Sequence, residues 1–231
     1  MEEITNLKKE LEAMKNNIKN MEEKNDKKIN ELKNEIKELK NVIEQKKEEA
    51  KIVYNSSIMK ENEFDIIKSA IESRKNKKVK GLRKLYQATI DGESQTQFHS
   101  KCDGISNTII IIKSAGNRRF GGFTSESWNG TSSYKDDITC FLFSLDKQKI
   151  YPIKSNRKAI CCSSNYGPVF GGDQSNDIKI YKCPISKKEL YTYESYGNSN
   201  FDYYGDNNAL SEDGKCSHIY AVDYEVFEVL F

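Results

Sequence analysis

The chain has 231 residues, of which 36% are hydrophobic and 31% are charged, and its formal net charge is +2. A net charge so close to zero argues against a general affinity for nucleic acid. No apolar run approaches the ~18–20 residues that span a bilayer. The acidic start, Met1-Glu2-Glu3, is unlike a signal peptide or a transit peptide. We therefore predict a cytoplasmic protein, with the nucleus as the alternative.

The segment 1–53 predicts a coiled coil. It contains 13 Lys and 13 acidic residues, has no Pro or Gly, and consists mostly of good helix formers. Apolar residues recur at alternating steps of three and four, which is the heptad period. The register shifts by four residues after Asn25, and such a stutter locally relaxes the supercoil. The predicted core positions are Ile4, Leu7, Leu11, Met14, Ile18, Met21, Asn25, Ile29, Leu32, Ile36, Leu39 and Ile43.

The residues at these core positions favour a parallel homodimer. The a positions are mostly Ile and the d positions are Leu or Met, a combination that favours two parallel strands. Asn25 occupies an a position, where two Asn side chains pair across the dimer axis and fix the register at some cost in stability. The alternatives are a folded-back helix, a higher oligomer, and a single helix that is solvated or docked on another surface.

Residues 54–81 are predicted to form a helix and a basic linker that lead into a globular domain at 82–231. Ser57–Ser73 has an amphipathic helical pattern, with Ser57 as its N-cap. Seven of the next eleven residues are basic. Such a cluster suits phosphate groups or an acidic protein surface, but a solvated loop has the same composition. We name this set the basic cluster: Arg74, Lys75, Lys77, Lys78, Lys80, Arg83 and Lys84.

The remaining sequence predicts an α+β domain in which antiparallel sheets pack on each other. Short β-rich runs alternate with turn residues, and Ser57–Ser73 is the one convincing helical pattern. The continuous Ile run in Thr108–Lys113 is typical of a strand buried on both faces. The predicted strands are Leu85–Ile90, Thr108–Lys113, Arg119–Thr124, Thr139–Ser144, Ile150–Lys154, Asp177–Lys182 and Ile219–Val229.

Several blocks of this region, in the same order, resemble the TLDc domain family and its branch in lower eukaryotes. The resemblance runs from about Ser57 to Phe231, and it is loose only over Glu194–Asn208. It implies a two-sheet antiparallel sandwich with flanking helices. The matching blocks are Leu82–Gly92, Phe98–Asp103, Thr108–Lys113, Phe120–Trp128, Phe141–Leu145, Tyr166–Gly172 followed by Asp177-Ile178, and Asp223–Phe227.

The resemblance implies binding and regulation, and no established reaction. TLDc proteins are associated with protection against oxidative damage, with endolysosomal trafficking, and with binding to the cytosolic head of the vacuolar proton pump, the V-ATPase. The sequence therefore predicts a non-catalytic, homodimeric protein that docks on the V-ATPase and takes part in oxidative-stress resistance. No cofactor is expected.

Five residues are candidates for contact with a partner, and each has a structural alternative. Trp128 is either a core residue or an interface anchor. Asp223 and Glu225 are two apart on the last predicted strand, so they share a face and either perform acid–base chemistry or anchor a loop. Gly121 and Gly122, like the pair Gly171-Gly172, match no phosphate-loop motif and favour a bulge or a close backbone approach.

Two other functions compete with this prediction. The basic cluster, doubled by dimerisation, would serve a nucleic-acid-associated regulator whose binding falls steeply with salt. A thiol-based antioxidant enzyme would use Cys102 as a nucleophile activated by His99, with Asp103 beside them, or the adjacent Cys161 and Cys162. For the first of these thiol sites, the structural alternative is a turn in which Phe98 and Cys102 pack inward.

Cysteine spacing gives little support to a disulfide framework or a metal site. The six cysteines include no C-x-x-C pair, so we interpret them as thiols. A tetrahedral site from Cys102 with His99 and Cys216 with His218 matches no zinc knuckle, and its two halves are far apart in the sequence. No metal ion is predicted.

Overall fold

The computed structural model describes the backbone of residues 2–49, 55–155, 157–172, 175–180, 190–192, 199–206, 208–210, 218–219 and 221–231. The chain divides into two compact units, Met1–Lys51 and Ile52–Phe231. Two predicted thiols, Cys183 and Cys216, lie outside the described residues. The end of the predicted strand Asp177–Lys182 lies outside them as well.

The first unit is a single helix, α1, that spans Glu2–Glu49. This confirms the long N-terminal helix that the sequence predicts. The apolar residues at the predicted core positions from Ile4 to Leu39 are 47–61% exposed in the single chain. The side chain of Ile43 lies outside the described residues. Over the described part of the chain, no helix combines the length and the apolar character needed to cross a bilayer.

The second unit contains three further helices and twelve strands among the residues that the structure describes. The helices are α2 Phe64–Lys75, α3 Ala88–Asp91 and α4 Gln95–Cys102. The strands are β1 Gly81–Gln87, β2 Thr108–Ser114, β3 Arg119–Thr124, β4 Ser133–Lys135, β5 Phe141–Ser144, β6 Lys149–Pro152, β7 Ile160–Cys162, β8 Val169–Gly172, β9 Ser175–Ile180, β10 Leu190–Thr192, β11 His218–Ile219 and β12 Ala221–Leu230.

These strands form two antiparallel sheets of six strands each. The first sheet has the order β1-β12-β2-β3-β5-β6, and the second has the order β11-β10-β9-β8-β7-β4. The last strand, β12, lies between β1 and β2, so the end of the unit pairs with its beginning. The two sheets confirm the predicted α+β class.

Alternating residues of the first sheet contribute to two separate cores. On β2, Ile110 and Ile112 belong to the core that also contains residues of the second sheet, such as Phe170. Ile109 and Ile111 belong to the core that contains apolar residues of α2, such as Ile67 and Ile71. Side chains alternate across a strand, so an unbroken run of Ile suits a strand covered on both faces. The first sheet is therefore the middle layer of three.

Three local predictions were wrong. The predicted helix Ser57–Ser73 begins only at Phe64, after a 3₁₀ turn at Glu61–Glu63, and Ser57 does not cap it. The predicted strand Leu85–Ile90 ends at Gln87, because Ala88–Asp91 turns into α3. The segment expected to form a turn around His99 is the helix α4, whose N-cap Ser94 accepts a hydrogen bond from the backbone N of Gln97.

Candidate functional site

Glu225 lies at the centre of a polar cluster that joins the two ends of the globular unit. Its carboxylate accepts hydrogen bonds from the Ser56 hydroxyl (2.5 Å) and from the backbone N and hydroxyl of Ser57 (2.9 and 3.0 Å). The Lys84 ammonium lies 2.7 Å away. A carboxylate that is 0% exposed needs such hydrogen-bond partners to offset the water it loses on burial. Ser57 therefore fastens the segment before α2 to β12.

Asp223 extends this cluster towards α3. Its carboxylate accepts hydrogen bonds from the Gln87 amide (2.7 Å) and from the backbone N and hydroxyl of Thr89 (3.2 and 2.9 Å). The Gln87 amide also donates to the Ser57 hydroxyl at 3.0 Å, which links the two carboxylates. Each carboxylate is held by donors from neighbouring elements. That arrangement suits a structural anchor better than a proton-transfer pair, which needs access to a reacting group.

Trp128 belongs to the core between the two sheets, where it is 1% exposed. Its indole N–H donates to the Thr108 hydroxyl at 2.9 Å. Its ring meets those of Phe98 and Phe170 edge to face, with centroids 5.7 and 5.8 Å apart. A buried Trp needs a partner for its N–H, and Thr108 supplies one. Its contact with a binding partner stays a prediction, and its packing role is visible.

The predicted glycine pairs lie where a neighbouring strand or the other sheet approaches the backbone closely. A Cβ on Gly121 would stand 1.8 Å from the carbonyl oxygen of Ile110, and one on Gly122 would stand 2.6 Å from the ring of Phe170. Gly171 has a φ of +91°, beside a shift in the pairing register of β8 and β9. These positions require the absence of a side chain. Gly121 and Gly122 are buried, so they too remain only predicted as contacts for a partner.

The structure gives the predicted nucleophile and its predicted base surroundings that do not favour a reactive thiol. The Cys102 thiol is fully buried at the end of α4, and burial raises its pKa to about 12. The Nδ1 of His99 lies 2.7 Å from the Asp103 carboxylate, and its Nε2 lies 3.0 Å from the carbonyl oxygens of Ser163 and Tyr166. Both ring nitrogens therefore face oxygen acceptors. A reactive cysteine needs a lowered pKa, and this environment does the opposite.

The other described cysteines are also free thiols, and their pKa values are raised as well. Burial raises the pKa of Cys140, Cys161 and Cys162, which disfavours the thiolate that attacks peroxide. Within the described ranges, no group of three or more His, Cys, Asp or Glu residues is placed to hold a metal ion. The second half of the proposed zinc site falls outside them, since Cys216 and the side chain of His218 are not described.

Three members of the basic cluster have carboxylate partners. Lys78 pairs with Glu72 at 2.9 Å, Arg83 pairs with Glu228 at 2.5 Å, and Lys84 reaches the buried Glu225. The first two pairs are largely exposed, so each contributes little to stability. Their charges are nevertheless compensated locally, which weakens the cluster as a continuous surface for phosphate groups.

Two more cations of the cluster lie over aromatic rings. The Cζ of Arg74 is 5.0 Å from the centre of the Phe141 ring, and the Nζ of Lys77 is 5.8 Å from that of Phe231. A groove of about 390 Å³ lies beside them, and its lining is mainly polar. It is lined by Ser69, Glu72, Ser73, Asn76, Lys77 and Lys78.

The sequence did not single out a second buried carboxylate, Asp177 on β9. It accepts hydrogen bonds from the Ser199 hydroxyl, from the backbone N and amide of Asn200 (3.1 and 3.0 Å), and from the Tyr203 hydroxyl (3.2 Å). Burial raises its pKa to about 6, despite these bonds. The signal was present, because Asp177 interrupts a β-rich run and belongs to a quoted family block. Its partners lie more than twenty residues away, and sequence patterns do not identify such pairs.

The comparisons with known proteins agree with the fold. A family model described as "TLDc domain" matches residues 52–230. A segment of 63 residues, 27% of this chain, is 35% identical to the "MTOR-associated protein MEAK7" of Danio rerio. The same length of match is 35% identical to the protein of that name from Xenopus laevis and 33% identical to that from Gallus gallus. The match covers 14% of the length of each relative. Because the family model covers most of the chain, the chain belongs to the TLDc domain family.

Proposed function

We propose that this protein is a non-catalytic binding and regulatory TLDc protein, paired by α1 into a parallel homodimer and docking on the V-ATPase. The observation that carries the proposal is the heptad stripe of α1, whose apolar members stand 47–61% exposed in the single chain. An amphipathic helix with an exposed apolar stripe can bury that stripe against the same stripe of another chain. The protein is therefore built for assembly.

Pairing through α1 links two TLDc domains in one assembly. Two linked domains bind a multi-subunit target with higher avidity than one domain, provided that both can engage at the same time. The V-ATPase is such a target, and the family resemblance suggests it along with oxidative-stress resistance. The names of the vertebrate relatives associate those proteins with MTOR, which also supports a role in binding. We place the protein in the cytoplasm, where the pump's head is accessible.

The described chemistry supports binding over catalysis. The thiol alternative requires a thiolate, but burial raises the pKa of all four described cysteines. The nucleic-acid alternative requires an uncompensated basic surface, but three of the seven cations in the basic cluster pair with carboxylates.

The test is an affinity purification from native lysate with the full chain as bait. A second bait carries Leu11→Asp and Leu32→Asp in the heptad stripe, and a control bait carries Asn34→Ala on the opposite side of α1. We expect the full chain and the control to retain subunits of the V-ATPase head, and the disrupted stripe to retain much less.

Three other results would contradict parts of the proposal. Equal recovery on all three baits would show that pairing does not raise the affinity for the pump. Absence of pump subunits from every bait would contradict docking on the V-ATPase. Recovery of nucleic-acid complexes that disappear at high salt would favour the basic cluster instead.

A further inference from the structure

Two turns of the globular unit present large apolar side chains to solvent. Ile138 is 90% exposed and Tyr204 is 71% exposed. Single exposed apolar residues are common on protein surfaces and need no explanation. These two are different because both are held on rigid turns, and because the two turns are neighbours.

The first turn is held by a buried carboxylate. The backbone N of Cys140 donates to the carbonyl oxygen of Asp137 at 3.1 Å, which closes the turn around Ile138. The Asp137 carboxylate accepts hydrogen bonds from the backbone N and hydroxyl of Thr139 (2.9 and 2.6 Å) and from the backbone N of Ser125 (2.6 Å). Residues on both sides of Ile138 are therefore fixed, while its own side chain contacts mainly water.

The second turn holds Tyr204 in a backbone conformation that tyrosine disfavours. The backbone N of Asp206 donates to the carbonyl oxygen of Tyr203 at 2.9 Å. The central residues have φ values of 51° for Tyr204 and 74° for Gly205, the pattern of a type I′ turn. Asn, Asp or Gly normally occupies the first central position. An exposed Tyr at this position costs conformational energy and gains little from packing.

The two turns lie side by side next to Arg74. Phe141, close to the first turn, pairs with Pro152 on β6, whose carbonyl oxygen accepts the backbone N of Asp202 at 2.9 Å, just before the second turn. The Arg74 guanidinium lies 5.0 Å from the Phe141 ring. Burial lowers the pKa of Arg74, and Tyr204 and Cys140 lie close enough to the guanidinium to act on it electrostatically.

Arg74 is a half-buried cation whose hydrogen bond goes to a backbone carbonyl, that of Ala70 at 3.2 Å. The described residues supply it with no carboxylate partner. The acidic side chains of the two turns are already engaged: Asp137 with its own turn, and Asp206 with Lys147, Lys149 and Tyr151. A half-buried guanidinium without a counter-ion is suited to a carboxylate from outside the chain.

We propose that Arg74, Ile138 and Tyr204 form a docking surface for a segment of a protein partner that presents carboxylates beside apolar side chains. Tyr and Arg are enriched among the residues that dominate binding energy at interfaces. Rigid presentation reduces the conformational entropy that binding removes. The surface lies towards the β5–β6 end of the first sheet. The inference goes beyond the proposed function, because it specifies a surface and a partner chemistry without requiring the V-ATPase.

The first experiment asks whether Tyr204 serves folding. Asn accepts a positive φ more readily than Tyr, so Tyr204→Asn in the full chain is expected to raise the melting temperature of the globular unit by about 2–4 °C. A fall in that melting temperature would show that the ring stabilises the fold, and it would overturn the proposal.

The second experiment measures binding directly. Full-length protein labelled at the δ1 methyl groups of Ile is titrated with a short peptide of alternating Glu and Leu, and separately with its twin in which Lys replaces Glu. We expect the acidic peptide to shift the Ile138 methyl signal in a saturable way. Tyr204→Asn is expected to weaken that binding by about tenfold or more.

The matched control is Ile90, a 75% exposed residue on α3, which follows β1 at the opposite edge of the first sheet. Ile90→Ser should leave the affinity for the peptide unchanged. Equal shifts at Ile90 and Ile138, equal binding of the Lys peptide, or no shift at Ile138 would each overturn the proposal. Baits that recover no pump subunit would reject the V-ATPase and leave this surface untouched.

Discussion

The two units of this protein differ in how far their apolar residues are exposed to solvent. In α1 the apolar residues of the heptad stripe stand about half exposed, and in the globular unit residues such as Ile67, Ile110 and Phe170 are completely buried. The globular unit buries its apolar surface in two cores, on the two faces of one sheet. The helix has only one apolar stripe and nothing of its own to cover it.

This difference means that the globular unit and the helix α1 are stabilised in different ways. A unit that buries its own core gains stability independently of protein concentration, but a helix that needs a second chain is stable only where that chain is present. Substitutions in the globular unit are therefore expected to change unfolding without changing mass. Substitutions in the heptad stripe are expected to change mass without unfolding the domain.

The largest expected effect comes from the heptad stripe. In a homodimer Leu32→Ala creates two cavities, each costing about 2–5 kcal/mol, while the helix propensity of Ala preserves the helix itself. We expect the dimer to dissociate at least about a thousandfold more readily. Light scattering over a range of concentrations measures this. Asn34→Ala, off the stripe, is the control, and a one-chain mass for the unaltered protein would refute the dimer.

The next effect lies inside the globular unit. Gly121→Ala places a Cβ 1.8 Å from the carbonyl oxygen of Ile110, so β2 and β3 must separate. We expect a loss of about 3 kcal/mol in the free energy of unfolding, at the upper end of the cost of overpacking. Fluorescence of the single Trp128 during urea unfolding reports it. Gly81→Ala is the matched control, since its added Cβ would meet only ordinary contact at 3.7 Å.

The division into a long helix and a β-rich globular unit was largely predictable from the periodicity of the sequence. The heptad steps of α1 and the Ile run of β2 are repeated local patterns, and both elements are present in the structure. The start of α2 was misjudged because Ser57 looks like an N-cap, whereas its hydroxyl bonds to Glu225, 168 residues away. The helix α4 was missed because eight residues give too few turns for a periodic signal.

The polar groups were less predictable, for a physical reason. A buried carboxylate is stabilised by whichever donors the fold brings near it, and those donors are distant in sequence. Asp177 and its partners Ser199 to Tyr203 illustrate this, as do Glu225 and Ser56. The exposed Tyr204 escaped notice because its unusual feature is a backbone angle.

Asp177 gives the stability of the globular unit a dependence on pH. Burial raises its pKa from 3.8 to about 6, so the folded protein binds this proton more tightly than the unfolded chain does. The free energy of unfolding therefore falls as pH rises from about 4 to about 6, by about 3 kcal/mol from this residue. Asp177→Asn should flatten that part of the pH profile, measured by urea unfolding.

Asp206 makes the free energy of unfolding change with pH in the opposite direction, which provides an internal comparison. Burial acts to raise its pKa, but hydrogen bonds from Lys147, Tyr151 and Lys149 outweigh burial and lower it to about 2. Its stabilisation is complete above about pH 4 and is lost as pH falls towards 2. Asp206→Asn should therefore lower the free energy of unfolding above about pH 4 and remove the slope of the profile below about pH 4. If both variants flatten the profile over the same pH range, the assignment of the two slopes is wrong.

The smallest effect tests how the globular unit holds its own N-terminal segment. Glu225→Gln keeps the shape of the side chain but removes the charge that Lys84, Ser56 and Ser57 share, at an expected cost of about 2 kcal/mol. Glu228→Gln, in the largely exposed pair with Arg83, should cost less than about 1 kcal/mol. Urea unfolding of both variants compares them. Equal losses would mean that the pair of Glu225 with Lys84 contributes no more than a surface ion pair. Apolar burial, and not this polar cluster, would then hold the segment before α2 in place.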